Sequence, residues 1–218
     1  MPLFRIVGFV LLLIFFAVFV QLGVLTIAFE KLGISSHSAY LLFTVTLLGS
    51  AINLPLFKMK ANPLSPDVQL PKFFEAFMRQ QIQFQGVTQV SINVGGALIP
   101  ICFSYYLWIH SALALNTLLM GIAIVSFASY LISRPVPGLG ITMPLLLAPL
   151  LAALVASFLD QEHRAALAYI SGTLGVLIGA DLFHIKDIKN MGVPFASIGG
   201  AGSFDGVFMT GIVAVLLT

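Results

Sequence analysis

Charge is what this sequence has least of. Ten Lys and Arg and eight Asp and Glu make up only 8% of its 218 residues, where a water-soluble domain uses about a quarter. So few charges do not cover the surface of a soluble enzyme, and a disordered chain would be polar rather than 59% hydrophobic. The net charge of +2 gives no field with which to gather a polyanion, so no nucleic-acid partner is expected. Cysteine is nearly missing too. The single Cys102 excludes an internal disulfide and a cysteine-based metal cluster, and within its apolar run it reads as a small packing residue.

What the chain does have is apolar runs long enough to cross a bilayer core of about 30 Å, which takes about 20 residues of helix. Seven such windows are bounded by charge or by Pro and Gly: Ile6 to Phe29, Ser38 to Phe57, Gln89 to Ile109, Ala112 to Ile132, Gly140 to Leu159, Ala165 to His184 and Ser197 to Leu217. They predict an all-helical integral membrane bundle in one domain, 1–218. The first window is too long for a signal peptide and reads as an uncleaved anchor. Pro144 and Pro149 should kink the fifth.

Seven crossings place Arg5, Lys58, Lys60, Lys72, Arg79, Arg134, Lys186 and Lys189 on one side and only Lys31 and Arg164 on the other. The excess of positive charge marks the cytoplasmic side, so the N-terminus is expected inside and the C-terminus outside, in a cytoplasmic (inner) membrane. The connector 58–88 carries an amphipathic pattern over about 70–84. Phe73, Phe74, Phe77, Met78 and Ile82 share one arc, opposite Lys72, Glu75, Arg79, Gln80 and Gln83. This predicts an interfacial helix, serving either as a structural elbow or as a lipid-contacting lid.

A carboxylate inside a spanning helix costs several kcal/mol unless it is paired, protonated or wet. Asp205, eight residues into the last window, and Asp181, near the inner end of the sixth, are the two acids so placed. Asn53 before Pro55, Asn93 before Gly95 and Gly96, and Thr210 add polar groups to the same inner half. Together they suggest a polar pocket open to the cytoplasm, although the two amides also suit helix backbone freed by proline and glycine. The small residues Gly199, Gly200, Gly202 and Ser203 precede Asp205. They permit either close packing of the sixth and seventh helices, with Gly172, Gly175, Gly179 and Gly206, or an unwound backbone that meets a substrate or ion.

The remaining candidates are weaker. His37, His110 and His163 fall at outer ends and His184 at an inner one, too scattered for one metal cluster, so neither metal nor cofactor is expected. His184 near Asp181 and Asp187 is a proton-relay candidate. The Arg134 to Gly140 segment, with two prolines and two glycines, reads as a rigid turn. Trp108 with Tyr105 and Tyr106 reads as an interfacial belt.

Several motifs carry a resemblance. Asn93-Val-Gly-Gly-Ala-Leu-Ile-Pro100, Arg134-Pro-Val-Pro-Gly-Leu-Gly140, the run from Gly172 to Asp181 and Ile198-Gly-Gly-Ala-Gly-Ser-Phe-Asp-Gly206 resemble a family of short polytopic membrane proteins from bacteria and archaea classed as a domain of unknown function. That resemblance implies a prokaryotic membrane location. Phe204-Asp205 and Gly179-Ala-Asp181 are also similar to the two aspartate motifs of presenilin and signal-peptide-peptidase-type proteases, in reversed order and with Phe for Tyr. Three functions are therefore expected as alternatives. One is a diaspartyl hydrolase in which Asp181 and Asp205 act as acid and base toward water. Another is a proton- or cation-coupled transporter binding at Asp205 and the glycines. The third is an accessory subunit that packs on a membrane-protein partner or on a second copy of itself within the bilayer.

Overall fold

A computed structural model of the 218-residue chain describes residues 12–15, 23–63, 84, 86–137, 140–144, 146–200 and 206–218. The helices among them are α1 (Val24–Lys31), α2 (Ser36–Gly49), α3 (Ile99–His110), α4 (Leu115–Ile132), α5 (Leu147–Leu159), α6 (Arg164–Val176) and α7 (Gly206–Leu217). π-Helical turns extend two of them: Val94–Leu98 leads into α3, and Leu177–Leu182 continues α6. Strands β1 (Asn53–Lys60), β2 (Val87–Asn93) and β5 (Phe195–Ile198) form one sheet, while β3 (Arg134–Val136) and β4 (Gly140–Thr142) form a separate hairpin. The proline-rich turn read from the sequence is that hairpin.

The fold is mostly helical, and the small sheet corrects the all-helical expectation. Helix α4 and the 19-residue stretch Arg164–Leu182 are each long and apolar enough to cross a membrane. A third crossing is added if α1 and α2, bent by 114° between Lys31 and Ser36, count as one span. Four expected windows are partly strand. The second leaves its helix at Gly49 and continues as β1; the third begins in β2, the fifth in β4 and the last in β5. The reason lies in side-chain period. Val90 and Ile92 raise the mean hydropathy of a window as helical residues do, yet their spacing of two belongs to a pleated strand. Strand β2 pairs antiparallel with β1 (Asn53 opposite Asn93), with a bulge at Leu56, and parallel with β5 (Ser91 opposite Ser197). The interfacial helix expected over about 70–84 lies outside the described residues, apart from Phe84.

Two apolar cores stack along the bundle. One, built around Phe29, Phe43, Phe103, Leu167, Tyr169, Phe208 and Ile212, fills the end where α1 turns into α2. The other, with Val90, Ala97, Val176, Leu177, Ala180, Ile188, Met191 and Ile198, lies under the sheet. Helix α6 is the hub, packed against α3, α4, α5 and α7. Its apolar window is 67% buried against 28% for that of α4, so α4 offers most of its surface, including Leu119, Phe127 and Leu131, to the surroundings. Cys102 is exposed on α3 rather than packed.

Glycine sets the closest approaches, though not with the partner the sequence suggests. A Cβ at Gly179 would run into the Ser126 carbonyl oxygen, and one at Gly175 would lie 2.6 Å from Val125 Cγ1. The Gly175/Gly179 pair therefore seats α4 against α6. Against α7 the contact is made by Gly172, whose Cβ would touch Thr210, and by Gly211, whose Cβ would meet Tyr169 and Thr173.

The turn before α6 is held by Asp160. Its Oδ1 accepts the N–H groups of Glu162 (3.1 Å) and His163 (2.9 Å), and its Oδ2 lies 3.1 Å from His163 Nδ1. The His163 N–H holds this carboxyl below its ordinary range. A depressed folded-state value adds stability that is complete above the usual Asp range and lost as pH falls through the depressed value. Asp160→Asn should thus destabilise slightly at pH 7, by less than about 1 kcal/mol for a carboxyl still partly open to solvent. The difference should shrink as pH falls below the usual Asp range, and a gap that widens on acidification would contradict this account.

Candidate functional site

The sheet end of the bundle brings together residues far apart in sequence. Strand β2 ends at Asn93, which is 1% exposed, and its side chain spends its hydrogen-bonding groups on three elements. Nδ2 donates to the Ser50 carbonyl, just past α2, at 2.8 Å and to Asn53 Oδ1 at 3.1 Å, while Oδ1 accepts the Gly96 N–H at 2.6 Å. Asn53 Oδ1 also accepts the Ser197 hydroxyl of β5 at 2.6 Å. Asn93 therefore serves backbone freed at helix ends, and together with Asn53 it ties three strands together.

Asn93→Leu would orphan the Gly96 N–H and the Ser50 carbonyl. Each buried orphan costs about 1–3 kcal/mol, so a loss of about 2–5 kcal/mol is expected. Thermal unfolding in detergent reads it, and a variant as stable as the wild type would show that the three bonds carry no net energy.

Beyond Ile198 the chain makes a turn few residues allow. Gly199 and Gly200 both have positive φ, 78° and 97°, a region nearly reserved for glycine. The Gly199 backbone presses against the π-helical turn of Val94–Leu98. A Cβ on Gly199 would sit 2.7 Å from Ala97 Cβ, and one on Gly96 would overlap the Gly199 carbonyl oxygen. From the other side, Asp181 in the second π-helical turn accepts the Gly199 N–H at Oδ2, 2.7 Å away. The buried Gly199 is thereby held between two helix distortions of the kind that recurs at functional sites. Among the described residues helix α7 covers Gly206–Leu217.

The sequence-derived candidates divide accordingly. Asn53, Asn93, Asp181, Gly199 and Gly200 gather at this end. Thr210 is buried further along α7, beside Gly172. Gly202, Ser203 and Asp205 lie outside the described residues. Ser197, Ser50 and Gly96 belong to the site without having been singled out. For Ser197 and Gly96 the signal was faint, since their partners lie 144 and 103 positions away.

His184 sits nearby in a clamp of its own. Nδ1 lies 2.7 Å from Asp187 Oδ2 and Nε2 lies 3.3 Å from the Tyr130 carbonyl of α4, with the ring stacked on Tyr130 at 4.8 Å. Both ring nitrogens face acceptors. Its bonded acid is thus Asp187, and the contact fastens the end of α6 to α4. Among the described residues no three His, Cys, Asp or Glu side chains gather as a metal site would require.

The chemistry this arrangement offers is a carboxylate facing unwound, glycine-lined backbone, buttressed by neutral amides and a hydroxyl. No curated protein and no solved structure matches the chain. A family model does match, over residues 47–217, which span both the sheet and Asp181. The chain belongs to the family described as "Protein of unknown function (DUF1614)".

Proposed function

We propose that this chain is a multi-pass protein of the cytoplasmic membrane, with its sheet end facing the cytoplasm, that works as a proton- or cation-coupled transporter. Its site is the break in the last span. The observation that carries the reading is the backbone that opens the last window: strand to Ile198, then positive φ at Gly199 and Gly200. The last window, Ser197–Leu217, therefore opens on non-helical backbone over Ser197–Gly200. Such backbone is tolerated at depth where protein buries it or where it lines a wet cavity, and discontinuous helices hold ions and substrates in this way. Asp181 on the Gly199 N–H supplies the fixed negative group of that site.

Reconstitution tests the proposal. Proteoliposomes loaded with a pH-sensitive dye, bathed in a deproteinised small-molecule extract of the host cell, should acidify under an imposed pH gradient faster than empty liposomes. Equal rates would overturn it. The Asp181 to Gly199 bond also favours a second reading, because it brings the chain leading to Asp205 toward Asp181. Under this diaspartyl hydrolase reading, purified protein cleaves a membrane-embedded peptide, and Asp181→Asn and Asp205→Asn each abolish cleavage to the same extent as the pair. Absence of cleavage of host membrane peptides by the wild type would remove it.

A further inference from the structure

The interior of α6 holds two hydroxyls that the packing leaves without partners. Tyr169 and Thr173 are each 0% exposed, and neither hydroxyl has a hydrogen-bond partner among the described residues. They neighbour each other one turn apart, without the geometry of a bond between them. The Thr173 hydroxyl and the edge of the Tyr169 ring fill the space beside Gly211 of α7 that a side chain there would take. Thr210, the next residue of α7, lies against Gly172 at the same level and is 2% exposed. From Thr210 to Gly206, the first described residue of α7, is four residues, about 6 Å of helix, along the chain toward the broken segment at Gly199 and Gly200.

On the other side of Tyr169 lies a cavity. A space of about 370 Å³ opens between the α1–α2 turn and α3, lined by Gly33, Ile34, Ser35, Ser38, Leu42, Phe103 and Tyr106. Phe103, 7% exposed, stands between this cavity and Tyr169, with the two rings edge to face at a centroid distance of 4.9 Å.

A buried hydroxyl without a protein partner is met in native structures by water. We propose that Tyr169 and Thr173 form a hydrated proton station midway through the bundle, between this cavity and the broken segment, with the Phe103 ring as its gate. The proposal rests on the transporter reading above and narrows its coupling ion to the proton. A hydroxyl both donates and accepts, so it passes a proton along a hydrogen-bonded water, giving one up on one side as it gains one on the other. Two or three neutral oxygens with no carboxylate, imidazole or thiolate beside them among the described residues do not match the six or more oxygens of Ca²⁺ and Mg²⁺ or the ligand set of Zn²⁺.

Full-length protein in lipid nanodiscs and proteoliposomes tests this with two readouts. Radiolytic water footprinting should modify the Tyr169 ring despite its burial, less in Thr173→Val and several-fold more in Phe103→Ala. Proton entry should fall at least ten-fold in Tyr169→Phe/Thr173→Val. Those apolar replacements remove only unpartnered hydroxyls, so the variant should unfold no earlier than wild type, which separates the relay from a packing role. An unmodified Tyr169, or a doubly substituted protein that carries protons at the wild-type rate while Asp181→Asn does not, overturns the station and leaves the transporter reading standing. A wild type that carries no protons overturns the transporter reading and with it the relay, even where Tyr169 is modified by bound water.

Discussion

Gly199→Ala is expected to be strongly destabilising for a single added methyl, costing about 3 kcal/mol or more. Two effects add. A side chain at φ 78° costs roughly 1–2 kcal/mol of backbone strain. The new Cβ would also press to 2.7 Å on Ala97 Cβ and on the Gly96 carbonyl carbon, where overpacking costs typically about 1–3 kcal/mol. Gly33 supplies the control, because it too has positive φ, 74°, but nothing lies within 4 Å of its Cβ position. Gly33→Ala should therefore lose the strain alone. Thermal midpoints in detergent read the contrast, and equal losses in the two variants would mean that the backbone contact between Gly199 and the turn before α3 is slack.

Asp181→Asn should have the largest effect on function and a small one on the fold. The amide oxygen replaces the carboxylate oxygen as acceptor for the Gly199 N–H, so the bond at 2.7 Å survives in kind while the charge and the exchangeable proton disappear. Stability should change by about 1 kcal/mol, the scale of one ordinary hydrogen bond. Proton-coupled uptake should fall by two orders of magnitude or more. Asp181→Leu separates the two roles. It strands the buried Gly199 N–H, adding about 1–3 kcal/mol of destabilisation to the same loss of uptake. If Asp181→Asn transports normally while Asp181→Leu unfolds, the carboxyl is a strut and not a coupling group.

These two residues also show what the sequence made legible. The low charge content pointed to apolar helices, and it singled out Asp181 by the cost of placing an acid there. Mean hydropathy is blind to period, however, so it carried the second window to Phe57, inside strand Asn53–Lys60, and began the last at Ser197, inside strand Phe195–Ile198. Their pairing is non-local: the parallel register of Ser91 with Ser197 joins residues 106 positions apart, which no window captures. The π-helical turn that carries Asp181 has no composition signal of its own, because it records packing of the helix end and not propensity. Gly199 illustrates a half-read residue. A run of small residues permitted either packing or unwinding, and at this glycine both hold, since its backbone is unwound and also packed against Gly96 and Ala97. For Gly175 and Gly179 the spacing signalled a close helix contact, but which helix filled it, α4 and not the neighbour in sequence, depended on the three-dimensional arrangement.

Thiol labelling at the sheet end tests the central claim most directly, that the broken last span is a cytoplasm-facing site through which transport runs. Ser197→Cys, made in a Cys102→Ser background, places a small reactive group where the hydroxyl meets Asn53. A membrane-impermeant maleimide should react with it in inside-out vesicles but not in right-side-out ones, and the modification should stop proton-coupled uptake in proteoliposomes. A cysteine that is inert from both sides, or a fully modified protein that transports as before, would contradict the account.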